Sequence, residues 1–425
     1  MRLSRIAILL SVFVLCGCTQ LKSVNSLPYR SSAPVVNPQV LQTGGLPTNW
    51  TRFTPNTYSE SYGGIVAGPD KNMWFLDWLG PGLVKMSMSG ATTEYPLPTD
   101  PVTLDPEFIV NGPNNRFFIL TQPGAVEFAN LNGLIKWYKL PTDSGFAGIA
   151  AGQDGNAWVT ADNNIYKVSP TGSIQQYAYP GGRGSNDPIT VGPGNLLWFG
   201  DNISNSIGSI DPSNGTILEY AIGRSCGNVS SIVSPPDGNL WFNCPAFNPG
   251  FVVRMTPAGA TTFYQIPEPN TLPLAATVGP GGWPFFIVDP SQGVQPGLLR
   301  VNTANGVMTM LPAPYGSDFF DGVAKGPDGN LWISGNGHID VYIKDILGVK
   351  PGTLNFVSTN LTASIVGKET QNPTLTASSS NIGIATVTAG RSRNTFKVTS
   401  VGVGYCMITV QDSIGNSFNV SVTVQ

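Results

Sequence analysis

The sequence predicts an all-β protein, a seven-bladed β-propeller followed by a smaller β-sandwich. Two observations lead there. The fragment Gly-Pro-x-x-x-x-aromatic recurs through most of the chain, with Gln153 replacing its proline once and Pro235 its glycine once. Its aromatic members are Trp74, Phe118, Trp158, Trp198, Trp241, Phe285 and Trp332, spaced 40 to 47 residues apart. A period of that size marks an array of similar supersecondary units. The second observation is a break in composition after Lys350: the remainder holds no Trp and is rich in Ser, Thr, Val and Asn.

Each repeat reads as four short strands. In the fourth, Ile189-Thr190-Val191 leads into a Gly-Pro-Gly-Asn turn and then Leu197-Trp198-Phe199. Ile207-Gly208-Ser209-Ile210 and Thr216-Ile217-Leu218-Glu219-Tyr220 follow, separated by Ser213-Asn214-Gly215. Runs of β-branched and aromatic residues between turn residues are strands, and four per unit make a propeller blade. The seventh unit lacks an outer strand. Asn49-Trp50-Thr51-Arg52-Phe53-Thr54-Pro55, ahead of the first unit, resembles outer strands such as Ala91-Thr92-Thr93-Glu94-Tyr95-Pro96. It is expected to pair into the seventh blade and close the ring, which removes exposed edges. The propeller is therefore expected to span 49–346.

Ahead of it, Arg2 and Arg5 precede the apolar run Ile6 to Leu15, an export-signal pattern too short for a comfortable membrane span. The ending Leu15-Cys16-Gly17-Cys18 resembles a bacterial lipobox. That resemblance implies cleavage before Cys18, lipid attachment on its thiol, and an exported, membrane-anchored protein. Thr19 is not the aspartate that holds lipoproteins in an inner membrane, so the outer membrane or cell surface is expected in a Gram-negative host. Residues 1–18 are then the signal. The polar stretch 19–48, rich in Ser, Pro, Asn and Gln, is expected to be a flexible tether.

In the C-terminal part, 347–425, seven short strands are suggested, from Leu354–Val357 to Ser417–Val424, which is sandwich patterning. The run Phe396 to Gly404 followed by Met407 to Asp412 is similar to bacterial Ig-like domains of surface adhesins. The resemblance implies the fold and no ligand.

Cys226 lies just before the first strand of the fifth blade and Cys244 ends its second strand. Both positions fall on one face of an up-and-down blade, so a disulfide is expected in an exported setting; two separate thiols are the alternative. Cys406 sits in a strand and reads as a small core residue. A net charge of −3 with 11% charged residues gives no basic footprint, which speaks against a nucleic-acid partner.

The repeats carry a second resemblance. Gly-Pro-Asp-Gly-Asn-Leu-Trp at 326–332, Pro-Asp-Gly-Asn-Leu-Trp-Phe at 236–242 and Ile-Gly-Ser-Ile-Asp-Pro at 207–212 resemble the repeat of the virginiamycin B lyase (streptogramin lyase) family. This implies a seven-bladed propeller. It also implies a magnesium-dependent enzyme that opens a cyclic depsipeptide by elimination, using histidines and an acidic residue over the central channel. The chain has one histidine, His338, so none of those catalytic residues carries over. His338 follows Asn336-Gly337 and reads as a solvated hairpin residue. The repeated Trp residues read as inter-blade core. No nucleophile elbow, zinc motif or Walker loop is present.

What remains is the face where the second strands end and the first strands begin. There the candidate ligand residues are Asp77, Trp78, Arg183, Asp201, Arg224, Asp289 and Asp318, with Glu60, Glu107, Thr121, Gln122, Asp162, Asp187 and Asn202 nearby. Seven loops converging on rigid blades suit a ligand, and a hydrated polar rim is the plainer alternative. The expectation is a lipid-anchored envelope protein that binds or scaffolds through this face, with a polysaccharide or protein ligand, no catalytic residue and no cofactor. The alternative is a lyase-like enzyme with carboxylate and metal chemistry, magnesium included, in place of histidine.

Overall fold

The computed structural model describes residues 39–40, 50–55, 62–78, 82–97, 105–142, 146–162, 164–179, 188–245, 250–267, 271–289, 296–313, 320–343, 348–368, 375–412 and 417–425. Almost every element is a strand. Seven consecutive sheets follow the repeat, the first made of Tyr62–Ala67, Met73–Asp77, Gly82–Met86 and Thr92–Pro96 paired in chain order. We number these blades 1 to 7. The first strands of neighbouring blades touch around the ring, and those of blades 7 and 1 meet, so the array closes on itself.

Closure comes from the other end of the propeller segment. Trp50–Thr54 pairs antiparallel with His338–Tyr342 and is the outer strand of blade 7. Beyond it lies a pairing the sequence did not suggest: Gln39–Val40, inside the stretch expected to be a tether, pairs with Thr54 and Phe53. It covers part of an edge that would otherwise be open.

The repeat has a chemical reason. The aromatic of each second strand is fully buried between blades, at 0–2% exposure. A buried indole needs an acceptor for its N–H. In blades 1, 3, 5 and 7 the acceptor is the turn aspartate four residues earlier: Asp70 for Trp74 at 3.0 Å, Asp154 for Trp158, Asp237 for Trp241 and Asp328 for Trp332. Trp198 uses the Pro193 carbonyl because Gly194 stands where the aspartate would. Blades 2 and 6 have Phe118 and Phe285, which have no N–H, and Asn114 and Gly281 in the turn. The motif glycine is fixed by the same ring: a Cβ on Gly68 would lie 2.4 Å from Trp74.

A second ladder joins blade to blade. Tyr95 of the outer strand of blade 1 stacks on Trp74 and lies over Gly133 in the last hairpin of blade 2, where φ is +76° and a Cβ would sit 2.3 Å from the ring. Tyr138 over Gly172, Tyr177 over Gly215, Tyr220 over Gly259 and Tyr264 over Gly306 repeat this contact. At the closure Phe53 takes the tyrosine's place, stacked on Trp332 at 5.6 Å.

After the ring, eight strands form two four-stranded sheets over one shared core. One holds Gly348–Lys350, Thr362–Lys368, Thr395–Ser400 and Ala385–Ala389; the other holds Thr353–Phe356, Ser417–Val424, Gly404–Asp412 and Leu375–Ser379. Gly348–Lys350 was not anticipated as a strand. Cys406 is a free, buried thiol in this core.

Candidate functional site at the channel mouth

The first strands line the axis of the ring, and their starting ends meet the ends of the second strands at one mouth. Five of the seven first strands bulge at that end: between Tyr62 and Ile65, Pro106 and Phe108, Phe146 and Gly148, Pro273 and Ala276, and Phe320 and Gly322. Bulges re-aim side chains out of the sheet repeat. The skipped residues include Gly63 and Gly64 in blade 1, Glu107 in blade 2 and Asp321 in blade 7. Blade 1 stands between the other two, so its glycine pair is flanked by a carboxyl on each side.

Burial pushes Glu107 up to about 7, reinforced by the Asp105 charge and opposed by a hydrogen bond donated by Gln122 Nε2. Burial also pushes Asp321 up to about 7, opposed by His338. Between them the exposed indole of Trp78 covers Gly63, where a Cβ would lie 2.3 Å from Nε1. That position accepts only glycine while the ring stays. Ser334 of blade 7 donates to the Gly63 carbonyl at 2.6 Å and ties the blades together there.

Behind Asp321 lies a charge cluster. Arg52 of the closing strand grips Asp340 with two 2.8 Å hydrogen bonds, and its Nη2 lies 2.9 Å from His338 Nε2. The same Nε2 lies 3.3 Å from Asp340 Oδ2, and Nδ1 faces the Asn336 carbonyl, which can only accept, so Nδ1 donates to it. The expected solvated hairpin histidine is thus corrected. His338 is 5% exposed, because the closing strand folds over it.

The opposite side of the mouth is braced. Cys226 and Cys244 are joined as a disulfide. Asn205 accepts from Cys226 N and donates to the Arg224 carbonyl, and Asn202 accepts from Val229 N. The Arg224 guanidinium is exposed to solvent and rests over the Phe251 and Phe263 rings, at 5.7 and 5.0 Å from their centroids.

The expected ligand face divides accordingly. Trp78 and Arg224 are at the surface. Asp77 and Asp201 are not: both are buried at the ends of second strands, and Asp201 accepts the N–H groups of Ile203 and Ser204 to form its own turn. Asx-turn formation competes with ligand binding for the same oxygen. Asp289 ends its strand, and its side chain is outside the described set. Cys18, Glu60, Arg183, Asp187 and Asp318 lie outside the described residues. Asp321 was missed by sequence reasoning. The only signal was a carboxylate inside the apolar run Phe319-Phe320-Asp321-Gly322-Val323. Among the described residues no three His, Cys, Asp or Glu side chains gather closely enough to hold a metal ion.

Fold and mouth together define a closed β-propeller whose bulged strands bring Glu107 and Asp321 to one end of its axis. The sequence matches the virginiamycin B lyase family over residues 44–243 and 185–341, more than half its length, and the chain belongs to that family. A streptogramin B lyase structure superposes with a TM-score of 0.62 at 25% identity, over 70% of this chain and 99% of that one. A catalytically inactive histidine-to-alanine variant of virginiamycin B lyase from Staphylococcus aureus with quinupristin superposes at 0.61 and 26% identity, covering 69% and 98%. PorZ, a surface component of the type-IX secretion system of Porphyromonas gingivalis, has a TM-score of 0.56 at 13% identity over 91% of this chain and 62% of that one, a likeness of fold alone. No curated protein matches the sequence.

Proposed function

We propose that this protein is a lipid-anchored cell-envelope propeller that binds its ligand over the channel mouth, with Cys18 as the lipid site and the two-sheet unit acting as an Ig-like module. One observation carries the binding reading. Trp78 presents an exposed indole between the bulged carboxyls of blades 7 and 2, where apolar stacking and hydrogen bonding act on one ligand. The surrounding groups differ from blade to blade, which suits an asymmetric polysaccharide or peptide.

A specific observation favours the enzymatic alternative as a second reading. Ordinary carboxylates are weak bases at neutral pH, whereas Glu107 and Asp321 are both held near 7. At pH 7 one could accept a proton while the other donates to a leaving oxygen.

The test separates the two. Purified protein is titrated with envelope glycans and peptides by calorimetry, and is incubated with quinupristin while ring-opened product is followed chromatographically. The binding reading expects saturable heat that Trp78→Ala weakens at least tenfold, and no product. Turnover abolished by Glu107→Gln or Asp321→Asn would replace it with the lyase reading.

A further inference from the structure

Blade 4 holds a carboxyl pair that neither reading of the mouth uses. Its second, third and outer strands are Leu197–Asp201, Ser206–Ile210 and Ile217–Ala221. Asp201 stands directly opposite Ser206, and Ser206 directly opposite Ala221, so these side chains share one face of the sheet. Glu219, two residues before Ala221, is on that face too. Its carboxyl comes within hydrogen-bonding reach of the Asp201 carboxyl, across the strand that carries Ser206. The Ser206 hydroxyl therefore lies beneath the place where the two carboxyls meet.

Asp201 is 0% exposed and Ser206 5%. Asp201 Oδ1 accepts the Ile203 and Ser204 N–H groups, but Oδ2 and Ser206 Oγ are buried with no hydrogen-bond donor or acceptor among the described residues. Folded proteins rarely leave such atoms unpaired, because their desolvation is then uncompensated. Two carboxylates in contact also repel unless a proton or a cation lies between them. Burial and the Asp201 charge accordingly raise Glu219 above its ordinary value.

We propose that Asp201, Ser206 and Glu219 bind one calcium ion at the mouth end of blade 4. The donors are hard oxygens, which suit calcium or magnesium rather than softer metals. A cation neutralises the pair, gives Asp201 Oδ2 a partner and takes a lone pair from the Ser206 hydroxyl. A proton shared by the carboxyls would leave Ser206 unaccounted for. Glu219 is exposed, so the site is open to water ligands on that side, which fits the flexible coordination of calcium better than the strict octahedron of magnesium. With two carboxylates and a hydroxyl, binding is expected at about 10⁻⁴–10⁻³ M, the range of extracellular modules. The ion would also steady the hairpin 202–205, whose Asn202 and Asn205 grip the loop from Arg224 to Val229. The inference does not depend on what the mouth binds.

Calorimetry on the full chain tests it with the metal alone. Divalent ions are removed with a chelator, calcium or magnesium chloride is titrated at pH 7.5, and melting is followed in parallel. One calcium per chain is expected, bound more tightly than magnesium and raising the melting temperature. Because residue 219 is exposed, Glu219→Gln should melt no lower than the parent without calcium, yet bind calcium at least about tenfold more weakly, since the charge of the ligand set tunes affinity. Asp201→Asn keeps an oxygen for the turn N–H groups and should lose calcium binding to a similar extent. Binding that survives both substitutions, tighter binding of magnesium, or no calcium response in the parent overturns the proposal. In the last case, a melting temperature that rises from pH 7.5 to pH 5 in the parent and not in Glu219→Gln would assign the pair a shared proton instead.

Discussion

Glu127 and Asp340 occupy the same register in different blades, opposite Ile119 and Ile333 in the second strands. Both are 0% exposed. On the outer strand Asp340 faces Arg52, while Glu127 faces Trp137 and, among the described residues, has no hydrogen-bond partner for either oxygen. The consequence is opposite chemistry at equivalent positions: Asp340 is an ion-paired carboxylate, and burial pushes Glu127 up to about 8. A carboxyl raised in the folded state stabilises below its unfolded value and loses that contribution as pH rises through the folded one. Stability should therefore fall from about pH 4.5 to about pH 8 and level off above. Glu127→Gln should remove its share of that slope and be the more stable protein at pH 8.5. Urea unfolding at pH 5 and pH 8.5 checks this; an unchanged slope in the variant would mean the carboxyl is solvated. The turn aspartates behave in the other sense. Burial alone would raise Asp70 and Asp154, but hydrogen bonds from Lys85 and Trp74, and from Asn156, Lys167 and Trp158, hold them below the ordinary value.

Among elements, the closing strand matters most. Trp50–Thr54 supplies Phe53 to the stack on Trp332, Trp50 to the cluster with Phe320 and Tyr342, and Arg52 to Asp340. Removing one member of a buried ion pair leaves an uncompensated charge, at a cost of about 3–5 kcal/mol. Arg52→Met is expected to lower the melting temperature of the propeller strongly, and Arg52→Met with Asp340→Leu to recover much of the loss. A single variant that melts like the parent would show that the pair does not hold the ring. Deleting residues 49–56 should do more, because an open edge invites aggregation as well as unfolding. The mouth clamp is a second such element. Cys226 and Cys244 are 18 residues apart, and a loop of that size contributes about 3 kcal/mol in the chain-entropy account.

At the scale of the whole molecule, the core is not continuous. Blade clusters interlock around the ring, whereas the C-terminal cluster, from Val349 to Val424, draws only on its own two sheets. Calorimetry should resolve two transitions. Val398→Ala, at a fully buried site of the second core, should lower only one of them, by about 1–3 kcal/mol of unfolding free energy. One merged transition that shifts as a unit would indicate coupled cores.

The sequence by itself determined the blade count, the position of each blade's buried aromatic and the origin of the closing strand. Those features follow from local rules that repeat: a glycine where a ring approaches, alternation along a strand, turn residues between strands. They were legible because seven copies of one solution stand in a single chain. The candidate site was legible only in outline. Trp78 and Arg224 are at the surface, yet Glu107 lies on a bulged strand rather than a loop, Asp77 and Asp201 turned inward, Asp321 was overlooked and His338 was mistaken for a solvated residue. Asp201 closes its own local turn, whereas the Asp321 and His338 outcomes depend on a bulge or on a partner hundreds of residues away. Arg52 reaches Asp340 across 288 positions, and bulges shift a side chain by one place without changing the strand's apolar pattern. Burial, and with it the protonation of Glu107, Glu127 and Asp321, is decided by what packs over a carboxyl, and only the closed ring brings those neighbours together.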